Sequence, residues 1–438
     1  MPSSGSDQYL YGLDDHPPLG LTLLYALQWA MIIFPAYVIT AKIAAQALHL
    51  AGPTEALFLQ ITLVCSGFGT LVQTLWGHRY PLVEGPATAH LLTFVSLSPL
   101  GMDVIQGASA TAAASLALAA TTGVMKYVVR LFTPNVVGVI LILIAFSLLP
   151  HLIPSLLGLD ARHTEPSVAV LSVTLALVVL MAILGQHLKG VWKTCNLALG
   201  LVVGTVLFSF FDRVNWNAPL TASWLSLPQP WVPFAPRWHG GAFVAFLMTY
   251  LAIAVNSIGS LQSMEAVTRP AQADTALRRG LVVNGLCGVV CGFFGVVGTV
   301  SYSTGPGVVL ASRVASRFPL AWCGALVIVA AFVPKLVAVL TLVPSAVVAS
   351  ALCVAMAGQV GAGLAVIGAR RTLASRDYFV VGIPVLLGTL LAFLPSSFIV
   401  SMSGTVRIFL GNGLIFGILI VLLLEHVVFG KKSKERAT

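Results

Sequence analysis

The chain has 438 residues, 58% of them hydrophobic and only 8% charged. Soluble domains carry about a quarter charged residues, so this composition, with a mean hydropathy of +0.97, excludes a soluble globular protein and predicts a polytopic membrane protein. The net charge of +9 does not point to nucleic acid, because the basic residues sit at the ends of apolar segments and in the tail GKKSKERAT.

The chain opens with MPSSGSDQYLYGLDDHPPLG, which holds Asp7, Asp14 and Asp15 and no basic residue. It therefore lacks the basic start of a cleavable signal, and the first apolar segment is expected to stay as a span. A span needs roughly 20 apolar residues. Fourteen segments meet or approach that length, at about 19–44, 54–76, 82–100, 105–129, 134–153, 167–185, 195–211, 241–263, 279–298, 299–316, 319–341, 343–366, 377–396 and 411–429. The Pro- and Trp-rich stretch 212–240 divides them seven and seven, as an interfacial connector on the extracellular or periplasmic side would.

With both termini cytoplasmic, the inside loops and tail hold Arg79, Lys126, Arg130, Lys189, Lys193, Arg269, Arg278, Arg279, Arg313, Arg317, Arg370, Arg371, Arg376, Lys431, Lys432, Lys434 and Arg436. Only Lys42, Arg162, Arg213, Arg237, Lys335 and Arg407 fall elsewhere, which satisfies the positive-inside rule for a multi-pass protein of the cell membrane. The short basic tail leaves no space for a soluble C-terminal domain.

The third and tenth segments are each broken by a Gly-Pro pair, Gly85-Pro86 in LVEGPATAHL and Gly305-Pro306 in STGPGVVLAS. Pro134 and Pro344 pair the fifth segment with the twelfth in the same order. Seven spans per repeat is odd, so the second copy runs upside down. Inverted repeats with interrupted helices mark secondary transporters, whose site lies where the interruptions meet. The expected fold is thus an all-α membrane protein of fourteen transmembrane segments in two inverted seven-segment repeats.

Segments one to four of each repeat are rich in small residues, as in GASATAAASLALAATTG and in the face Gly285, Gly288, Gly292 and Gly295; the last three are aliphatic. Small residues let helices approach closely. The expected organisation is an N-terminal cytoplasmic tail (1–18), a packed core (19–130 and 241–341), a lipid-facing or dimerising gate (131–211 and 342–429), the connector (212–240) and a cytoplasmic tail (430–438).

Proline suits the first helical position. Each broken segment therefore reads as an extended stretch followed by a half-helix, the first from Pro86 and the second from Pro306. Extended backbone at membrane depth is tolerated only where it is buried or lines a cavity. Opposed half-helices would aim the N–H groups near Ala87, Thr88, Gly307 and Val308, and two positive dipole ends, at one small volume. Such a volume suits an anion or a flat solute rich in acceptors.

Glu84, directly before the first break, is the candidate for proton coupling; its other reading is a cap on the adjacent amides. Asn256 and Ser260 share one face of the eighth segment, with interhelical bonding as the plainer alternative. Gln28 and Trp29 stand mid-span in the first segment, one turn beyond Tyr25, and suit a planar heterocycle or simple packing. Tyr302, Thr304 and Gly305 flank the second break. His90 points to another face than Thr88 and reads as structural, and Glu265 reads as the partner of Arg269. The six cysteines show no disulfide or zinc spacing, and Cys287 and Cys291, one turn apart, read as packing. No metal site or cofactor is implied. The spans carry no metal cluster, nucleophile elbow or P-loop, which argues against an enzyme.

With LQWAMIIFP, YPLVEGPATA, AVNSIGSLQSMEAVTR and GTVSYSTGPGVVLASRVASR in view, the chain resembles the nucleobase–ascorbate transporter family (nucleobase:cation symporter family 2), which includes uracil and xanthine permeases. The resemblance covers nearly the whole chain. It implies core and gate domains, an elevator-like movement, a homodimer, and uptake of purines, pyrimidines or ascorbate with H⁺ or Na⁺. The chain departs from the family pattern at several positions. Gln28-Trp29 stands for the usual Gln-His, and Asn256 for a Glu. Thr304-Gly305-Pro306-Gly307 keeps only the glycine of the tenth-span signature, with Arg313 retained beyond it. Glu84 occupies a position that is neutral in many members. A small-anion transporter similar to the SulP group is the alternative, using the same half-helix site.

Overall fold

The computed structural model describes residues 9–429 except 51, 126, 128–129, 160–162, 190–194, 212–213, 215, 269–272, 369–372, 403–405 and 407–408. Among the basic residues assigned above, Lys126, Arg162, Lys193, Arg213, Arg269, Arg370, Arg371 and Arg407, with the tail from Lys431 to Arg436, lie outside the described residues.

Among the described residues, the named elements are helices apart from one two-stranded ladder. Its first half runs α1 (Leu19–Ala47), α2 (Pro53–Leu75), β1 (Glu84–Pro86), α3 (Thr88–Leu97), α4 (Met102–Thr122), α5 (Pro134–Leu156), α6 (Val168–His187) and α7 (Asn196–Ser209). The connector contributes the short α8 (Asn217–Thr221). The second half runs α9 (Gly240–Thr268), α10 (Ala273–Phe293), β2 (Thr299–Ser301), α11 (Gly305–Ser312), α12 (Phe318–Ala331) and α13 (Pro334–Thr341). It closes with α14 (Ser345–Gly368), α15 (Ser375–Ala392), α16 (Ser396–Ser401) and α17 (Gly413–Leu423).

Among the described residues, nine helices are long and apolar enough to cross a membrane, and a tenth span results if α12 and α13, bent by 91° at a short break, count as one. Val333, just before Pro334, is extended rather than helical (ψ 84°), as the residue before a proline prefers to be. Three shorter apolar helices follow the same composition: Thr88–Leu100, Asn196–Ser209 and Gly413–Val428.

Contacts divide the chain into two compact units, Met1–Thr121 with Ile153–Val354, and Thr122–Leu152 with Ala355–Thr438. In the larger unit the glycine face of α10 meets the small residues of α4. A Cβ on Gly285 would lie 2.6 Å from the Ala117 nitrogen, and one on Gly292 would lie 2.8 Å from the Ala110 nitrogen. The two backbones pack at a distance that only glycine allows. The connector is tied down in the same unit. Arg237 pairs with Asp103 at 3.0 Å, and the Trp231 indole donates to the Gly295 carbonyl at 3.2 Å.

The smaller unit uses small residues too, despite its aliphatic sequence: Gly138 and Gly363 each approach the other's carbonyl, a Cβ on Gly138 falling 2.7 Å from the Gly363 oxygen. One end of this unit carries a buried polar cluster. Asn135 Nδ2 donates to Asp377 Oδ1 at 2.9 Å, and Arg376 Nη2 donates to Glu425 Oε2 at 2.8 Å.

Candidate functional site

β1 and β2, far apart in sequence, pair antiparallel: Glu84 with Ser301, Gly85 with Val300 and Pro86 with Thr299. All six residues are buried. The extended stretches expected before the two breaks are therefore present, and each satisfies the other's backbone. An unpaired polar backbone at this depth would cost several kcal/mol (roughly 2–7); pairing removes that cost.

The ladder is pinned from several helices. The Tyr37 hydroxyl of α1 donates to the Glu84 carbonyl at 2.7 Å, and the Glu84 amide donates to Thr70 Oγ1 of α2 at 3.0 Å. From α9, Ser260 donates to the Ser301 carbonyl at 2.9 Å and to its own Asn256 carbonyl at 3.0 Å. From α10, Asn284 Nδ2 reaches Glu84 Oε2 at 3.2 Å and the Thr299 carbonyl at 3.2 Å. The Ser301 hydroxyl donates to Glu84 Oε1. Glu84 is fully buried, and no Lys or Arg among the described residues pairs with it.

Two expectations about the breaks are corrected by this geometry. The first half-helix begins at Thr88, with Ala87 extended before it (ψ 124°), not at Pro86. Pro86 lies in the ladder, where it has no N–H to leave unpaired, and its carbonyl accepts the Tyr302 hydroxyl at 3.1 Å. The two Gly-Pro pairs are consequently not structural equivalents. Gly85-Pro86 is strand, whereas Gly305-Pro306 opens a helix with proline in its first turn. By the ladder, Glu84–Pro86 matches Thr299–Ser301. Gly85 is required for its own reason: a Cβ there would lie 2.5 Å from Tyr302 Cζ.

The free amides also differ from those expected. The Ala87 N–H is bound to the Gly298 carbonyl at 2.8 Å, and the Val308 N–H to the Thr304 carbonyl at 3.3 Å. Thr88, Ala89 and His90, in the first turn of α3, have no intrahelical acceptor, and no side chain caps that helix. Gly305 and Gly307 hold the matching positions in α11, also uncapped. Glu84 caps neither helix, because Ser301 of β2 and Asn284 of α10 engage its two oxygens. The helix starts lie beyond opposite ends of the three residue pairs.

The remaining sequence candidates sort by what they already hold. Gln28 and Asn256 are half-buried, and the Trp29 indole is buried. Thr304 and Gly307 are exposed, and a Cβ on Gly307 would meet nothing within 4 Å. Ser260 and Tyr302 are committed to the ladder, as above. His90 is structural in its surroundings: Nε2 lies 2.9 Å from Ser109 Oγ, with Phe94, Phe246 and Tyr250 around the ring. Glu265 accepts from the Tyr80 hydroxyl at 3.3 Å, while its expected partner Arg269 lies outside the described residues. All six cysteines are free, Cys287 and Cys291 buried.

Sequence reading missed Asn284, Thr70 and Tyr37. Asn284 left a signal, being an amide inside an apolar, glycine-rich span. Nothing in the sequence tied it to Glu84, 200 residues away.

The model of a permease family matches residues 20–397. The chain is 26% identical to the uric acid permease PucK of Bacillus subtilis, over 97% of this chain and 99% of that one. It is 23% identical to the xanthine permease XanQ of Escherichia coli, over 99% and 96% of the two chains. Among solved structures, the transmembrane domain of the cyanobacterial bicarbonate transporter BicA superposes with a TM-score of 0.59 at 14% identity, covering 92% of this chain and 96% of that one. At that identity the likeness is one of fold. Relatives of this kind are permeases, not enzymes, and the apolar helices make the chain a multi-pass membrane protein.

Proposed function

The chain belongs to this permease family, and from that premise we propose that it is a secondary transporter of a purine or pyrimidine nucleobase. The observation that carries the reading is the pair of uncapped helix starts, α3 and α11, at the two ends of a fully buried ladder. Their amides are donors only, so the solute they suit carries carbonyl and ring-nitrogen acceptors. An oxidised purine has several, and uric acid and xanthine are named in the relatives. The solute lies between Ala87–Thr88 and Gly307–Val308, with the half-buried amides of Gln28 and Asn256 and the Trp29 ring available to its edge and face. Tyr302, Thr304 and Gly305 border it from the second break, and Ser260 acts on it through the Ser301 carbonyl.

Glu84 is the coupling residue in this reading. It is a buried acid with hydrogen-bond partners and, among the described residues, no counter-cation, so taking up a proton relieves an uncompensated charge. Residues 19–130 and 241–341 move as the elevator core against 131–211 and 342–429, within fourteen segments that form two inverted repeats. The three short apolar helices, the bent α12–α13 pair and the eight-residue α11 supply the five segments beyond the nine long ones. The working unit is a homodimer in the cell membrane with both termini cytoplasmic.

Uptake into proteoliposomes tests the reading. Uric acid, xanthine and uracil should compete for one site, an inward-directed proton gradient should drive accumulation, and Glu84→Gln should leave exchange but no accumulation. Competition by bicarbonate or sulfate with indifference to nucleobases would replace it with small-anion transport through the same fold.

A further inference from the structure

We propose that the amino-terminal segment Tyr9–Pro18 is part of the transport machinery: a strap that sets the position of α11, and with it the second half of the solute site. The segment precedes the first span, yet it is bound to the far half of the chain. Leu10 donates to the Arg313 carbonyl at 2.8 Å, Ala315 donates to the Tyr11 carbonyl at 2.9 Å, and Arg317 donates to the Leu13 carbonyl at 3.1 Å. These bonds make a short parallel bridge, Tyr11 beside Val314. The Ser316 hydroxyl adds a bond to the Asp15 carbonyl at 2.6 Å.

Side chains fasten the same joint. Arg317, only 7% exposed, donates to Asp14 at 2.8 Å and to the Thr74 carbonyl of α2 at 2.9 Å. Its guanidinium lies 4.7 Å from the Phe318 ring centroid, and His16 stacks on that ring at 3.6 Å. The Tyr9 hydroxyl reaches the Val267 carbonyl at the end of α9 at 3.0 Å. The exposed Asp14 carboxylate adds little by itself; the backbone bonds and the buried Arg317 carry the attachment.

The reason this matters lies in α11. It has eight residues, whereas a helix shorter than about 12–15 residues does not hold itself in water. Its orientation is therefore imposed by its surroundings, Gly305 packing against Leu82 and Met264. β2 anchors the start. At the other end Arg313 turns left-handed (φ 57°), and the strap captures the chain in that same residue and the four that follow. Among the described residues no such strap holds α3, which runs on into a tight turn and α4. A displaced strap would let α11 tilt about β2, moving the Gly305 and Gly307 amides and leaving those of α3 in place.

The test compares the full chain with a form lacking residues 2–15 and with Arg317→Gln, each in detergent, by amide hydrogen exchange and by uric acid binding. Exchange over 305–312 should rise at least tenfold in both variants, with 88–97 unchanged. Uric acid affinity should fall at least fivefold. The exchange result stands whatever the solute is, so it separates failure of the strap from failure of the nucleobase reading. Unchanged exchange at 305–312, or an equal rise over 88–97, would overturn the proposal: the first means that the strap holds nothing, the second that it merely supports the whole fold.

Discussion

The two interrupted spans share a dipeptide but not a construction. In the first, Gly-Pro is strand, fully buried, with Gly85 cleared for the Tyr302 ring and Glu84 gripped by Ser301 and Asn284. In the second, Gly-Pro opens α11, where Thr304 and Gly307 are exposed and the hold on the helix comes from beyond its carboxyl end. The first break is gripped by its neighbours' side chains at both strands, whereas the second, packed at Gly305 against Leu82 and Met264, is also held by backbone bonding beyond the helix's far end. A transporter with one rigid and one adjustable half-site would be built this way, since the adjustable half is the one that yields to the solute.

That contrast is open to substitution. The largest effect is expected at Gly85→Val, which places branched carbon against the Tyr302 ring in a buried ladder. Overpacking of this kind costs about 1–3 kcal/mol, and here it also parts the strands, so uptake should vanish, with partial return in the double variant that adds Tyr302→Ala. Next is Gly307→Leu in the open half-site. Unfolding free energy should hold within the ~0.5 kcal/mol expected of a surface change, but nucleobase uptake should drop at least tenfold, because the new side chain occupies the solute's space. If Gly307→Leu unfolds the protein instead, the second half-site is as closely packed as the first and the contrast fails.

Smaller effects sharpen the account of the first break. Asn284→Ala removes the link from α10 to both strands and should cost about 1–3 kcal/mol, the penalty for stranding buried partners; denaturation in detergent measures it. Tyr37→Phe should cost less, about 1 kcal/mol, since Thr70 Oγ1 also reaches the Glu84 carbonyl at 3.3 Å.

The sequence made the helices, the extended approaches to each break and the small-residue face of α10 legible, because each rests on local composition or on period. It did not make the ladder legible. Pairing Glu84 with Ser301 is a contact between distant segments whose register no local pattern encodes, and matching the two Gly-Pro words led to the wrong equivalence. Ala87 and Val308 were expected to offer free amides, but one bond to Gly298 and one to Thr304 use them. Asn284 was visible only as an odd polar residue, and the tie from Leu10 to Arg313 was not visible at all. Residues whose role is to hold another element carry their meaning in that element's position.

The account's central claim is that the solute sits between the starts of α3 and α11, across the paired strands. It is tested most directly by thiol labelling of Thr88→Cys and Gly307→Cys, each in a chain with Cys353, the one cysteine not buried, replaced by serine. Uric acid should protect both positions, with half-protection at the concentration that half-saturates uptake. Uptake that persists while neither position is protected would contradict it.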